Sequence, residues 1–168
     1  FKMNIILHEP EIPQNTGNIG RTCVATGTSL HLIEPLGFKI DDKSLKRAGM
    51  DYWKDLDVHY YTNFQDFLNK NPNANIYMAT TKALNTYSDV KFKDDDFIMF
   101  GSEGSGIPEE ILLHYKDNSI RIPMLEQYRS LNLSNSVAIV LYEALRQNSF
   151  KGCQLEGHLH RHSWSEAE

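Results

Sequence analysis

The chain lacks the features that mark several large protein classes. No apolar run approaches the roughly 18 residues that a membrane-spanning helix needs, and no secretory signal is expected at its start. Only two cysteines occur, Cys23 and Cys153, far apart and without a C-x-x-C pairing. That argues against a disulfide scaffold or a thiolate zinc site, no metal is expected, and the usage fits a reducing cytoplasm. Positive charge is in deficit, with 17 Lys and Arg against 22 Asp and Glu and a net charge of −5. Nucleic-acid surfaces are ordinarily basic, so an RNA footprint here has to be a local cluster or be assembled from more than one subunit. The dinucleotide fingerprint G-x-G-x-x-G and the phosphate-loop ending Gly-Lys-Ser/Thr are also missing.

What is present is the composition of an ordinary globular domain, 168 residues of which 40% are hydrophobic, long enough for one domain with a full core. A single domain is expected over 3–150. Phe1 and Lys2 precede a plausible natural start at Met3, and 157–168, with His158, His160 and His162, reads as a foreign or disordered end.

Short apolar runs alternate with helical patterns. Strands are expected at Asn4–His8, Leu30–Ile33, Val58–Tyr61, Ile76–Ala79, Phe97–Phe100 and Ile120–Ile122. Helices are expected from Thr16 to Thr26 (stopped by Gly27), from Asp42 to Ala48, around Phe64, Phe67 and Leu68, from Pro108 to His114, and from Ser134 to Gln147. This rhythm predicts an α/β fold, a parallel sheet with helices on both faces. Ligands of such sheets bind beyond the carboxyl ends of the strands, and three informative loops fall there.

The first loop runs Pro13-Gln-Asn15-Thr16-Gly17-Asn18-Ile-Gly20-Arg21. Asn15 or Thr16 is placed to cap the following helix, whose free N–H groups make an anion site, and Arg21 sits within reach of a phosphate or ribose oxygen. The same residues also suit a plain capped helix with a surface arginine. The second loop, Gly101-Ser-Glu103-Gly104-Ser-Gly106-Ile-Pro108, leads from a buried strand into a helix. It reads equally as a tight turn or as a glycine-lined ligand loop, with Glu103 bonding either a ligand or a backbone N–H. The third, Ile122-Pro-Met124 through Arg129-Ser130-Leu131-Asn132-Leu133-Ser134-Asn135-Ser136, is very polar ahead of a helix, Val137 to Leu145, that is apolar nearly all round. Such a helix is deeply buried or lies against another subunit. Thr80-Thr81-Lys82 ends a strand as a cap or a ligand wall, and Lys43, Lys46 and Arg47 form a solvated basic face or a phosphate contact.

Together the three loops resemble the three motifs of SPOUT-superfamily RNA 2′-O-methyltransferases, in order and at that family's spacing from Met3 to Gln147. Glu9-Pro-Glu-Ile-Pro13 and Arg129-Ser-Leu-Asn-Leu-Ser134 are most similar to the tRNA (cytidine(34)-2′-O)-methyltransferase group, and with the first strand at the start of the sequence a resemblance to its minimal members, without an added N-terminal domain, is expected. The resemblance implies a C-terminal deep trefoil knot, which general chain topology would not predict. It implies S-adenosylmethionine as cofactor, held near Ala79, Gly101, Ile122 and Ser130, with Thr80, Glu103, Gly106, Met124 and Leu131 beside them. It further implies a homodimer with Ser134 to Leu145 in the interface, and the tRNA anticodon stem-loop as partner. Gly20 and Ser105 stand where some relatives carry bulkier or basic residues, an exchange expected to bear on RNA affinity rather than chemistry.

The implied reaction moves a sulfonium methyl group onto the 2′-oxygen of the wobble ribose, on cytidine or a modified uridine. A guanidinium is a poor proton acceptor, so Arg21 is expected to hold a phosphate and stabilise the developing alkoxide. Asn15 would orient the ribose or Arg21, and Ser134 and Asn135 would complete the polar wall. The alternatives are a ribosomal-RNA 2′-O-methyltransferase of the same superfamily, a nucleotide-dependent oxidoreductase, and a non-catalytic S-adenosylmethionine or RNA-binding module.

Overall fold

A computed structural model describes residues 1–41, 43, 47 and 51–168. The helix expected from Asp42 to Ala48, and Lys46 of the basic cluster, lie largely outside the described residues. The chain runs β1 (Asn4–His8), α1 (Pro13–Thr26), β2 (Ser29–Ile33), β3 (Val58–Tyr61), α2 (Phe64–Lys70), β4 (Ile76–Ala79), β5 (Asn85–Thr86), β6 (Phe97–Phe100), α3 (Glu109–Leu112), β7 (Ser119–Arg121) and α4 (Leu133–Gln147). Short 3-10 turns form at Asp51–Asp55, Lys116–Asn118 and Trp164–Glu166. The strands make one seven-stranded sheet in the order β3-β2-β1-β6-β4-β7-β5, every pair parallel.

Side-chain alternation along the strands explains why both faces need covering. Ile5, Leu7, Leu30, Leu32, Ile98 and Phe100 point to one side, where they meet Ile19 and Cys23 of α1 and Val137, Val140 and Leu141 of α4. Ile6, Ile33, Met78, Phe97 and Met99 point to the other and meet Phe67 of α2 and Ile107. The expected α/β layering, with helices on both faces, is what forms. Among the described residues no helix is long and apolar enough to cross a membrane. Cys23 and Cys153 are both free, and burial pushes the Cys23 thiol up to about 12.

Several boundaries differ from the sequence reading for physical reasons. Helix α1 begins at Pro13, after Ile12 as its N-cap, because proline's fixed φ and missing N–H suit a first turn. Asn15 and Thr16 therefore lie inside the helix and neither caps it. At its other end Gly27 takes the left-handed conformation, φ 66°, and its N–H closes on the Cys23 and Val24 carbonyls, as expected. Pro108 precedes α3 as its N-cap rather than opening it. Gly20 is a packing residue: a Cβ there would stand 2.8 Å from the Trp53 indole, so the position receives a core ring. Helix α4 is two-sided, with Val137, Val140, Leu141, Ala144 and Leu145 buried, and Ile139 and Tyr142 exposed on its outer face. Gly157 to Glu168 is exposed throughout.

One polar side chain sits deep in the second face. His31 is 5% exposed, with Nδ1 2.8 Å from the Tyr61 hydroxyl and Nε2 3.1 Å from Asn4 Oδ1. Burial, with the neighbouring His59 adding to it, lowers its pKa from 6.5 to about 3. A neutral buried imidazole takes up no proton where the unfolded chain already does. Stability should therefore be unaffected by this group above its unfolded value of 6.5 and fall as pH drops from there towards 3. The slope for one group well inside that window is about 1.4 kcal/mol per pH unit. Denaturant unfolding of wild type and His31→Asn across the window checks it. The variant should be less stable near neutrality and should lose this part of the slope.

Candidate functional site

The carboxyl ends of β6, β4 and β7, neighbours in the sheet, open on a cavity of about 530 Å³. The loops that follow these strands form its walls, and Ile12 and Asn15, after β1, close one side. This is where a parallel α/β sheet exposes strand-end backbone and helix entrances to a ligand. Ala79, Thr80, Gly101, Glu103, Gly106, Ile122, Met124, Ser130 and Leu131, which the family resemblance places around a cofactor, all line it. Thr81 and Lys82 do too, so this strand end is a wall as well as a cap, Thr80 Oγ1 accepting from the Lys82 N–H at 3.2 Å.

The glycine loop is both a turn and a lining. The Gly106 N–H donates to the Ser102 carbonyl at 2.9 Å, and Gly106 has φ 69°. A Cβ on Gly101 would lie 2.0 Å from the Gly106 carbonyl carbon. That glycine exists so the loop can fold back on its own backbone.

Glu103 does not point a free carboxylate into the cavity. Its Oε1 accepts from the Glu11 N–H, and its Oε2 from the Ile12 N–H, both at 2.8 Å, and Oε2 also from Asn15 Nδ2 at 3.2 Å. The carboxylate thus sits on the N–H groups just ahead of α1, whereas the Asn15 and Thr16 N–H groups, where an anion site was expected, close on the Ile12 carbonyl. Burial pushes the Glu103 carboxyl up, but the N–H groups of Glu11, Glu103 itself and Ile12, with the Asn15 amide, outweigh it and hold it below the usual range. Glu11 reciprocates, its Oε1 accepting from the Gly104 N–H at 2.9 Å.

Asn132 continues the chain of contacts, in a role that the sequence does not assign to it. Its Nδ2 donates to Asn15 Oδ1 at 3.2 Å, while its own Oδ1 accepts from the Ser134 N–H, the Ser134 hydroxyl and the Asn135 N–H. Asn132 is the N-cap of α4. The polar stretch from Ser130 to Asn135 reads as a lining, and Asn132 does line the cavity; its capping role is hidden because the helix start is expected at Ser134, two residues too late.

Arg21, Ser134 and Asn135 do not line the cavity. Ser134 and Asn135 are drawn to Asn132 beside it. Arg21 lies about 9 Å further along α1 than Asn15, at 1.5 Å rise per residue. Its guanidinium carbon is 5.9 Å from the centre of the Tyr52 ring. Among the described residues no group of three or more His, Cys, Asp or Glu side chains is placed to hold a metal ion.

Residues 2–142 match the profile of the SpoU rRNA Methylase family. The tRNA (cytidine(34)-2′-O)-methyltransferase of Saccharophagus degradans is 47% identical over 150 residues, covering 89% of this chain and 97% of its own. A solved structure described as giving insights into the 2-OH methylation of C/U34 on tRNA superposes with a TM-score of 0.83 at 39% identity, covering 88% of this chain and 97% of its own. An AdoMet-bound rRNA methyltransferase from Sinorhizobium meliloti superposes with a TM-score of 0.74 at 26% identity, covering 86% of this chain and 56% of its own.

The Asn132 contacts lead to a prediction. Asn132→Ala removes both the cap of α4 and the donor to Asn15. It should lower unfolding free energy by about 1 kcal/mol or somewhat more, the usual range for a lost N-cap. Asn132→Asp keeps the acceptor and should recover most of that loss. Denaturant titration of the two variants checks it; equal loss in both would place the contribution elsewhere.

Proposed function

The chain belongs to the SpoU rRNA Methylase family, and on that footing we propose that it methylates the 2′-oxygen of the wobble ribose, position 34 of tRNA, with S-adenosylmethionine as donor. The observation that carries the cofactor part is the convergence of three loops on one cavity. Its volume lies in the ordinary range for a small-molecule site. Ile107, Ile122, Leu131 and Val140 offer apolar walls for a flat base, and the backbone after β6 and β7 offers polar edges. Such a lining fits an adenosyl group. When bound, this cofactor supplies an electrophilic methyl group.

The chain's own residues then have to hold the ribose and manage charge on its 2′-oxygen. Arg21 is the candidate for gripping a phosphate and stabilising the developing alkoxide, a role that suits a fixed cation. It stands outside the cavity of its own chain, so the ribose-phosphate must bridge from the cavity mouth to α1 or meet Arg21 across a second copy. Asn15, fixed between Glu103 and Asn132, presents the polar wall nearest the cavity. Ser134 and Asn135 act through Asn132, which they anchor.

A homodimer is part of the same reading. Ile139 and Tyr142 form an exposed outer stripe on α4, and two subunits would pool their few basic residues around an anticodon stem-loop. A C-terminal trefoil knot, proposed from the family resemblance, is compatible with β7 lying between β4 and β5. A cytoplasmic location follows from the substrate.

Calorimetry should detect S-adenosylmethionine binding without added metal; affinity for NAD instead would overturn the assignment. Methylation of tRNA and of ribosomal RNA, with the product mapped by mass spectrometry, should place the new methyl group at nucleotide 34. A methyl group found only in ribosomal RNA would move the enzyme to the neighbouring branch. Arg21→Ala should leave cofactor affinity nearly unchanged while methyl transfer falls on the order of 100- to 1,000-fold. For assembly, Ile139→Glu puts an unpaired charge on the outer stripe without entering the core, and should convert a sedimenting dimer to monomer.

A further inference from the structure

Arg21 has no ion-pair partner among the described residues. The contact its head group does make is with an aromatic face, since its guanidinium carbon lies 5.9 Å from the centre of the Tyr52 ring, within cation–π reach. The ring is held at both ends. Its backbone belongs to the 3-10 turn Asp51–Asp55, and the next residue, Trp53, is buried in the slot that Gly20 leaves on α1. Its hydroxyl donates to the Gly17 carbonyl of α1. In an α-helix that carbonyl also accepts the amide of the residue four positions on, which is Arg21 itself. Burial pushes the Tyr52 phenol up, and the Arg21 charge opposes this only in part, so the group remains a hydrogen-bond donor rather than a base.

We propose that Tyr52 is a positioning residue that holds the Arg21 guanidinium ready for a ribose-phosphate oxygen while leaving its charge unneutralised. The choice of partner matters physically. A carboxylate would fix the guanidinium equally well, but it would cancel the charge that has to attract an anion and would compete with the substrate for the same N–H groups. An aromatic face restrains the planar head group through its quadrupole and leaves the N–H edges free. The Gly17 contact ties this platform to the helix that carries Arg21, so turn and helix keep their relation when either shifts.

The proposal rests on the reading of Arg21 as the charge-stabilising group, and the test keeps the two apart. Methyl transfer to tRNA is measured as kcat and KM for Tyr52→Leu and Tyr52→Phe, each in wild-type and Arg21→Ala backgrounds, with S-adenosylmethionine affinity and thermal melting alongside. Tyr52→Leu should lower kcat by roughly tenfold, the scale of a partly desolvated cation–π contact, with cofactor affinity unchanged. Tyr52→Phe, which keeps the ring, should recover most of the rate. In the Arg21→Ala background Tyr52→Leu should add nothing. If the two effects multiply instead, Tyr52 acts independently of Arg21 and the proposal fails; if Phe is as poor as Leu, the hydroxyl bond to Gly17 rather than the ring face carries the effect, and the proposal fails. If Arg21→Ala itself retains full turnover, the reading of Arg21 fails first and takes this proposal with it. Should Tyr52→Leu not fold, a polyfluorinated phenylalanine at position 52 preserves shape while emptying the ring's negative face. Activity below that of Tyr52→Phe supports the proposal; equal activity overturns it.

Discussion

The site depends on one carboxylate. Glu103, in the glycine loop after β6, reaches across to the N–H groups of Glu11 and Ile12, just ahead of α1, and to the Asn15 side chain. The N–H groups of Glu11 and Ile12, just ahead of a helix whose N-cap is isoleucine, need an acceptor, and another loop provides it. That requirement joins the two loops, and the Glu11 carboxylate answering the Gly104 N–H ties them a second time. Through Asn15 the connection passes to Asn132 and the entrance of α4. Three segments far apart in sequence become one frame around the cavity.

Much of this was legible in the sequence. The strands were visible because both faces of the sheet are covered, which makes runs such as Phe97-Ile-Met-Phe100 apolar without interruption. The cavity lining was visible because strand ends in a parallel sheet are where loops must bind things, and the glycines and prolines mark those ends. What stayed hidden is instructive in physical terms. Strand β5, Asn85–Thr86, has two residues and no apolar pattern; it exists only because β7 lies alongside. Glu103 read as ambiguous because its partners, Glu11 and Ile12, are some ninety residues away and no local rule joins them. The turn around Tyr52 and Trp53 carried no helical periodicity, so its docking on Gly20 appeared only in three dimensions.

Gly20 also changes how variation at the site is read. A missing side chain in a loop-helix rich in polar residues suggests a surface adapted to a ligand. Here the gap is filled by an indole from the chain itself. Substitution at position 20 therefore acts first on packing between α1 and the following turn, and reaches the guanidinium only through it.

The position of β7 between β4 and β5 has a consequence for how the protein is made. On a growing polypeptide, β1 to β6 can emerge and pair, yet β5 has no neighbour and β4 keeps one edge bare until Ser119–Arg121 leaves the ribosome. The last strand must then insert between two earlier ones, a pairing of high sequence separation and slow closure. The residues from Ile122 to Leu133 that finish the cavity follow directly behind it. The nascent chain thus has no complete pocket to offer until these residues and Val140 of α4 have emerged, and a ligand held there reports a closed sheet.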